Sequence, residues 1–163
     1  FNNVNEVAKK SYEEIEHYFL GKNSVLHVQN VEEDPYYQKK DIDALIFYEK
    51  NNKKKTMTIE IKGDRYNSGN FFFEVISNMN KKTLGCFLIT ESDYIIYHFV
   101  NQNKFYALPT EPTRRWFLKN FRRFQHAKTS TSARNGRILY ESIGYKVPIN
   151  TVCRELGIQP TYL

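Results

Sequence analysis

The sequence predicts an α/β domain, a central mixed β-sheet with helices on its flanks in three layers. Three observations carry this. Apolar residues recur at helical spacing near the start of the chain, apolar and aromatic runs of strand length fill the middle, and from Pro109 the pattern turns helical again. No internal repeat or long linker interrupts the 163 residues, so 1–163 reads as one domain with a basic helical part from about residue 110.

The elements follow in order. From about Asn5 to Leu20, the residues Val4, Ala8, Ser11, Ile15 and Phe19 mark one helical face, and Gly21 is a natural stop. Val25 to Gln29 reads as a first strand, and Glu32-Glu33-Asp34-Pro35 as a loop. Lys39 to Phe47 and Thr58 to Lys62 read as two strands joined by a polar hairpin loop at Asn51 to Lys55, with a turn from Gly63 to Gly69. Strands are expected at Phe71 to Ile76, Leu84 to Thr90, Tyr94 to Phe99 and Lys104 to Leu108, all rich in aromatic and β-branched residues. Thr110-Glu111-Pro112-Thr113 is a helix start with proline in the tolerated first turn, and Trp116, Phe117, Phe121 and Phe124 supply its apolar face. Thr129 to Ser132 breaks the helical pattern, Asn135-Gly136 is a turn, Ile138 to Tyr140 returns as a strand, and Ile149 to Leu156 forms a short helix ending at Gly157.

Composition narrows the function classes. Cys86 and Cys153 are too few for a disulfide framework, and His17, His27, His98 and His126 lack zinc-ligand spacing. No secretory signal and no apolar stretch of transmembrane length is present, which points to the cytoplasm and away from membranes. A G-x-S-x-G elbow, a dinucleotide G-x-G-x-x-G and a complete phosphate loop are all missing.

Two strands carry charges that strands disfavour. Asp43 precedes the apolar run Ala44-Leu45-Ile46-Phe47, and Thr58-Ile59-Glu60-Ile61-Lys62-Gly63 alternates so that Ile59 and Ile61 point one way while Glu60 and Lys62 point the other. Two carboxylates on neighbouring strands beside an ammonium make a site for a hard cation and a phosphodiester. The bland alternative is a solvent-facing ion pair on an ordinary hairpin. The arrangement resembles the PD-(D/E)XK nuclease superfamily, the restriction-endonuclease-like and Holliday-junction-resolvase-like enzymes, over roughly residues 5–100. Asp43 stands at the first metal-binding aspartate, Glu60 at the D/E and Lys62 at the lysine, the two carboxylates seventeen positions apart. The motif's proline is Ile42 here, so Asp41, two residues before Asp43, is the fallback ligand.

The resemblance implies a restriction-endonuclease-like fold and a Mg²⁺-dependent endonuclease, with Mn²⁺ as a substitute. Asp43, Glu60 and the Ile61 backbone carbonyl would hold the metal, and Lys62 would act on the attacking water or the phosphate. Resolvase-like members add a glutamate from the first helix; Glu14 and Glu16 flank the buried face, and Glu14 is the choice. Glu74 sits among apolar neighbours, as a further ligand, a partner of the ligands, or the mate of a basic residue. Arg65 follows the motif, as a phosphate contact or a solvated turn residue.

The basic excess is local. Between Glu111 and Glu141 there is no acidic residue but eight basic ones, namely Arg114, Arg115, Lys119, Arg122, Arg123, Lys128, Arg134 and Arg137. The rest of the chain holds 16 basic against 18 acidic residues, so the net charge of +6 lies wholly in this segment. Local positive charge of this kind suits a phosphate backbone, DNA in the first instance, and phage, mobile-element or repair roles all fit. A homodimer is left open. The rival readings are a nucleic-acid-binding protein of the same fold that cleaves nothing, and a protein-interaction module whose charges are only surface.

Overall fold

A computed structural model describes residues 4–133 and 135–163. In chain order the elements are α1 (Val4–Leu20), β1 (Val25–Asn30), α2 (Pro35–Gln38), β2 (Ala44–Lys50), β3 (Lys53–Asp64), β4 (Asn70–Asn78), β5 (Thr83–Leu84), α3 (Cys86–Ile89), β6 (Tyr94–Phe99), β7 (Lys104–Pro109), α4 (Thr110–Asn120), a 3-10 turn (Phe121–Arg123), β8 (Gln125–Ser132), β9 (Ile138–Pro148), α5 (Ile149–Leu156) and β10 (Thr161–Tyr162). The class is α/β, as expected. The strands form two sheets rather than one, and the chain packs as two compact units.

The first unit comprises residues 1–68, 91–110 and 158–163, and its described part holds a mixed sheet in the order β1-β2-β3-β6-β7-β10. Only β3 and β6 pair in parallel; the other neighbours are antiparallel. A parallel pair needs a long crossover, and residues 65–93 supply it with β4, β5 and α3. The β2–β3 hairpin is tight. Asn51 and Asn52 take left-handed φ of 53° and 59°, which asparagine tolerates, so the strands meet from Lys50↔Lys53 and the turn is shorter than the expected Asn51 to Lys55 loop. Past the motif the strand runs on to Asp64, where a turn from Gly63 was expected.

Helix α1 lies against this sheet. Its buried residues are Val7, Ser11, Tyr12 and Ile15, while Val4 and Ala8 are exposed, so the buried face is turned from the one expected. Tyr12 and Ile15 join Val28, Ala44, Ile46, Ile59, Ile96 and Phe105 in one core. A smaller core of Val31, Ile42 and Leu45 anchors the entry to β2.

The second unit comprises residues 69–90 and 111–157, with an antiparallel sheet in the order β5-β4-β9-β8. Its core is aromatic: Phe73 stacks on Phe87 at 4.1 Å, and Phe117 of α4 meets Phe73, Phe87 and Tyr145 edge-on. The expected strand from Leu84 to Thr90 is instead two residues of strand followed by α3. Gly85 lies so close to β4 that a Cβ there would stand 2.3 Å from the Glu74 carbonyl oxygen, and beyond it the amides of Leu88 and Ile89 turn back to Gly85 O. Short apolar runs carry no period that separates the two outcomes. Residues 129–132 belong to β8, so the basic part is half sheet rather than helical throughout. Most of β8 is exposed, which erases the alternation that marks a half-buried strand. Helix α5 ends at Gly157, as expected.

Candidate functional site

The site grows from the end of the β2–β3 hairpin. Asp43 lies one residue before β2, where its N–H donates to Ile59 O and its carbonyl accepts from Val31 N, both at 2.9 Å. Ala44 is the residue in register with Ile59, so two residues face one, the geometry of a β-bulge. Asp43 Oδ2 accepts from the Ile61 N–H at 2.7 Å, and the Asp43 and Glu60 carboxyls are hydrogen-bonded to each other. In a strand the N–H and C=O of one residue point to the same edge, so the Ile61 carbonyl also faces the Asp43 side of β3.

Asp41 arrives by a turn, not along a strand face as the sequence suggests. It takes a left-handed φ of 54°, held by its own N–H to Gln38 O and by Lys40 N–H to Tyr37 O. One of its carboxylate oxygens lies within 4.8 Å of one from Glu60. The residue between the two aspartates uses what a proline lacks: Ile42 N–H donates to Tyr37 O at 3.2 Å, and its side chain is buried with Val31 and Leu45. Ile42 thus takes a buried, hydrogen-bonded place between the two aspartates.

Electrostatics set these carboxylates apart. Glu60 is 8% exposed and its Oε2 is buried with no hydrogen-bond partner. Burial first, then Asp43 and Asp41, push Glu60 well above the usual carboxylate range, while Lys62 pulls it down. Burial raises Asp43 to about 6 against the opposing Ile61 N–H, and Glu32 and Asp41 add to the rise. Two carboxyls that resist ionising together, a third within reach and Glu60 Oε2 left bare fit a divalent hard cation. Lys62 is half-buried and in register with Tyr97 of β6, whose hydroxyl donates to Asp64 Oδ2 at 2.9 Å.

The remaining expected residues have their own surroundings. Glu14 stands 3.5 Å from Lys10 Nζ and 3.2 Å from His98 Nε2, and borders a cavity of about 390 Å³ with Glu13, His17, Tyr18 and Tyr162. Burial and Lys10 lower His98 to about 4, so its ring is neutral near pH 7 and shares a 2.8 Å hydrogen bond with Ser11. Glu16 and Asp43 both raise the Tyr12 phenol, behind burial as the main cause, so Glu16 is the helix glutamate that shares a neighbour with the carboxylate cluster. Glu74 is half-buried on β4, in the second unit. Arg65 donates to the Tyr66 hydroxyl at 3.1 Å, with its guanidinium 5.2 Å from that ring.

The basic segment divides. Arg114 donates to Phe87 O and Thr90 O and pairs with Glu111. Arg123 makes two 2.8 Å hydrogen bonds to Glu155, which is lowered to about 2 chiefly by that pair. These two arginines are engaged by partners within the second unit. Arg115, Lys119, Arg122, Lys128 and Arg137 are exposed, and the first three recur at helical spacing on one outer stripe of α4 and its 3-10 extension. Arg134 lies outside the described residues. Sequence reasoning passed over Glu32 and Tyr12; the acidic loop before Asp43 was the available signal for the first. Among the described residues no helix is long and apolar enough to cross a membrane. No family model matches the chain, and no curated protein or solved structure does either.

Proposed function

We propose that this chain is a Mg²⁺-dependent endonuclease of the PD-(D/E)XK type acting on DNA, with Mn²⁺ able to replace Mg²⁺. The observation that carries the reading is the convergence of Asp41, Asp43 and Glu60 beside Lys62, with Asp43 and Glu60 raised and Glu60 Oε2 buried without a partner. The finer fold assignment rests on the same support: a helix against a sheet whose hairpin delivers the aspartate and the E-x-K strand, with β3 parallel to β6.

Asp43, Glu60 and the Ile61 carbonyl would hold the cation, and Asp41 stands within reach of the same space. When bound, it supplies Lewis acidity and a lowered pKa for water. The residues do the rest. Glu60 and Asp43 must release their protons to serve as ligands, so loading is pH-dependent. Lys62 places positive charge beside Glu60, where charge grows on a phosphate in the transition state. The exposed stripe of Arg115, Lys119 and Arg122 positions the backbone without reading bases.

The test is cleavage of linear, circular, single-stranded and branched DNA with Mg²⁺ or Mn²⁺, the wild type against Glu60→Ala. Metal-dependent cutting lost in the variant supports the reading. Binding without cutting by the wild type overturns it in favour of the non-catalytic DNA-binding protein.

A further inference from the structure

Strand β4 accompanies β9 only part of the way. Its last ladder pair is Ile76↔Ile143, and the Met79 N–H to Glu141 O bond at 2.9 Å ends the contact. Beyond Glu141, strand β9 pairs with β8 alone, through Thr131↔Tyr140 and Ser132↔Ile138. The ribbon closes with Ala133 N–H to Arg137 O and Gly136 N–H to Ala133 O. Residues 131–133 and 135–140 thus project from the sheet as a two-stranded ribbon.

Its surface has a consistent chemistry. No acidic residue occurs between Glu111 and Glu141, and Arg137 is exposed near the tip. The β8 edge offers the consecutive hydroxyls of Thr129, Ser130, Thr131 and Ser132, each a donor or an acceptor. Ile138 and Leu139 are each 55% exposed, an adjacent apolar pair that folding leaves in water.

We propose that the β8–β9 ribbon is a nucleic-acid-binding arm that enters a groove of duplex DNA. A two-stranded ribbon fits the major groove, which is roughly 12 Å wide. Arg137 contacts phosphate or a guanine edge, the hydroxyls meet phosphate and base edges, and Ile138 and Leu139 pack on sugars and thymine methyls. The hydroxyl run and the basic stripe of α4 in the same unit favour DNA over an anionic lipid surface, which would ask for more than two apolar side chains. The inference builds on DNA as the partner and is independent of the metal site.

The experiment uses the full chain carrying Glu60→Ala, so that no substrate is cut. Binding of a fluorescent duplex of about two helical turns is measured by anisotropy at several salt concentrations, alongside co-sedimentation with phosphatidylserine vesicles. Arg137→Ala with Ile138→Ser and Leu139→Ser should weaken duplex binding about tenfold, and Arg137→Ala alone should flatten the log–log salt slope by about 0.9. Both changes sit on exposed side chains, and far-UV circular dichroism should match the parent. Unchanged affinity and slope in the single variant overturn the proposal, as does no duplex binding by the parent or a preference of the ribbon for vesicles. The nuclease reading is judged separately, by wild-type cleavage, so the two fail on different measurements.

Discussion

The Ile61 N–H donates to Asp43 Oδ2 at 2.7 Å, which ties the first carboxylate of the site to the strand that presents the second. That bond favours the ionised Asp43, yet burial outweighs it and the group rises to about 6. The fold itself thus assembles this geometry, and burial raises the pH at which Asp43 takes up its charge.

Removing a ligand should separate activity from stability. Asp43→Ala and Glu60→Ala are each expected to lose metal-dependent cleavage to background. Glu60→Gln should raise the melting temperature of the metal-free protein, because it deletes a buried acid whose charge is opposed by burial and by Asp43 and Asp41. Near-wild-type cutting by purified Glu60→Ala would remove Glu60 from the metal site.

Stability and metal affinity should run in opposite directions with pH. Asp43 moves from 3.8 to about 6 on folding, so between these values the folded state holds more protons than the unfolded chain. Its contribution is fully present below about 4 and is lost as pH rises through about 6; Glu60 acts in the same direction. Mg²⁺ affinity should increase over the same rise, with proton release. Calorimetry near pH 6 in buffers of different ionisation enthalpy measures the release, and a buffer-independent heat would contradict this picture.

If the chain is the nuclease proposed above, Lys62→Ala should reduce turnover by about 10²–10³-fold with KM nearly unchanged, the result expected of a charge that acts in the transition state. A variant with weakened DNA binding and normal kcat would make Lys62 a simple phosphate contact.

Gly63 lets α1 approach β3. A Cβ at Gly63 would stand 3.0 Å from Ser11 Cβ and 3.2 Å from Val7 Cγ1, both on buried residues. Gly63→Ala should therefore cost about 1–3 kcal/mol in overpacking, read by urea denaturation. An undiminished midpoint would show that the helix can shift freely.

On the outer stripe, Arg115→Ala, Lys119→Ala and Arg122→Ala should each flatten the salt dependence of DNA binding by about 0.9 on a log–log plot. Arg123→Ala should instead lower stability with the slope kept, because its guanidinium is engaged by Glu155. A flattened slope in Arg123→Ala alone would reverse these roles.

Much of the sheet was legible in the sequence because its strands alternate or are continuously apolar. Tyr94–Phe99 and Lys104–Pro109 appear where the pattern puts them, and so does the helix closed by Gly157. The pairing of Asp43 with Glu60 was legible too, since a polar hairpin turn after Lys50 brings residues seventeen apart together, although the turn is shorter than the expected loop. Tertiary structure decided the rest. On α1 the sheet took Val7, beside Gly63, and Tyr12, in the core, in place of Val4 and Ala8. The course of 84–90 was set by Gly85 pressed against Glu74, and the identity of β8 by its ladder to β9. Asp41 joined the carboxylates through a left-handed turn rather than a strand, and Arg114 and Arg123 were engaged by partners 24 to 32 residues away. Local patterning writes the elements; which charges end up buried, shared or exposed depends on contacts that only the folded chain makes.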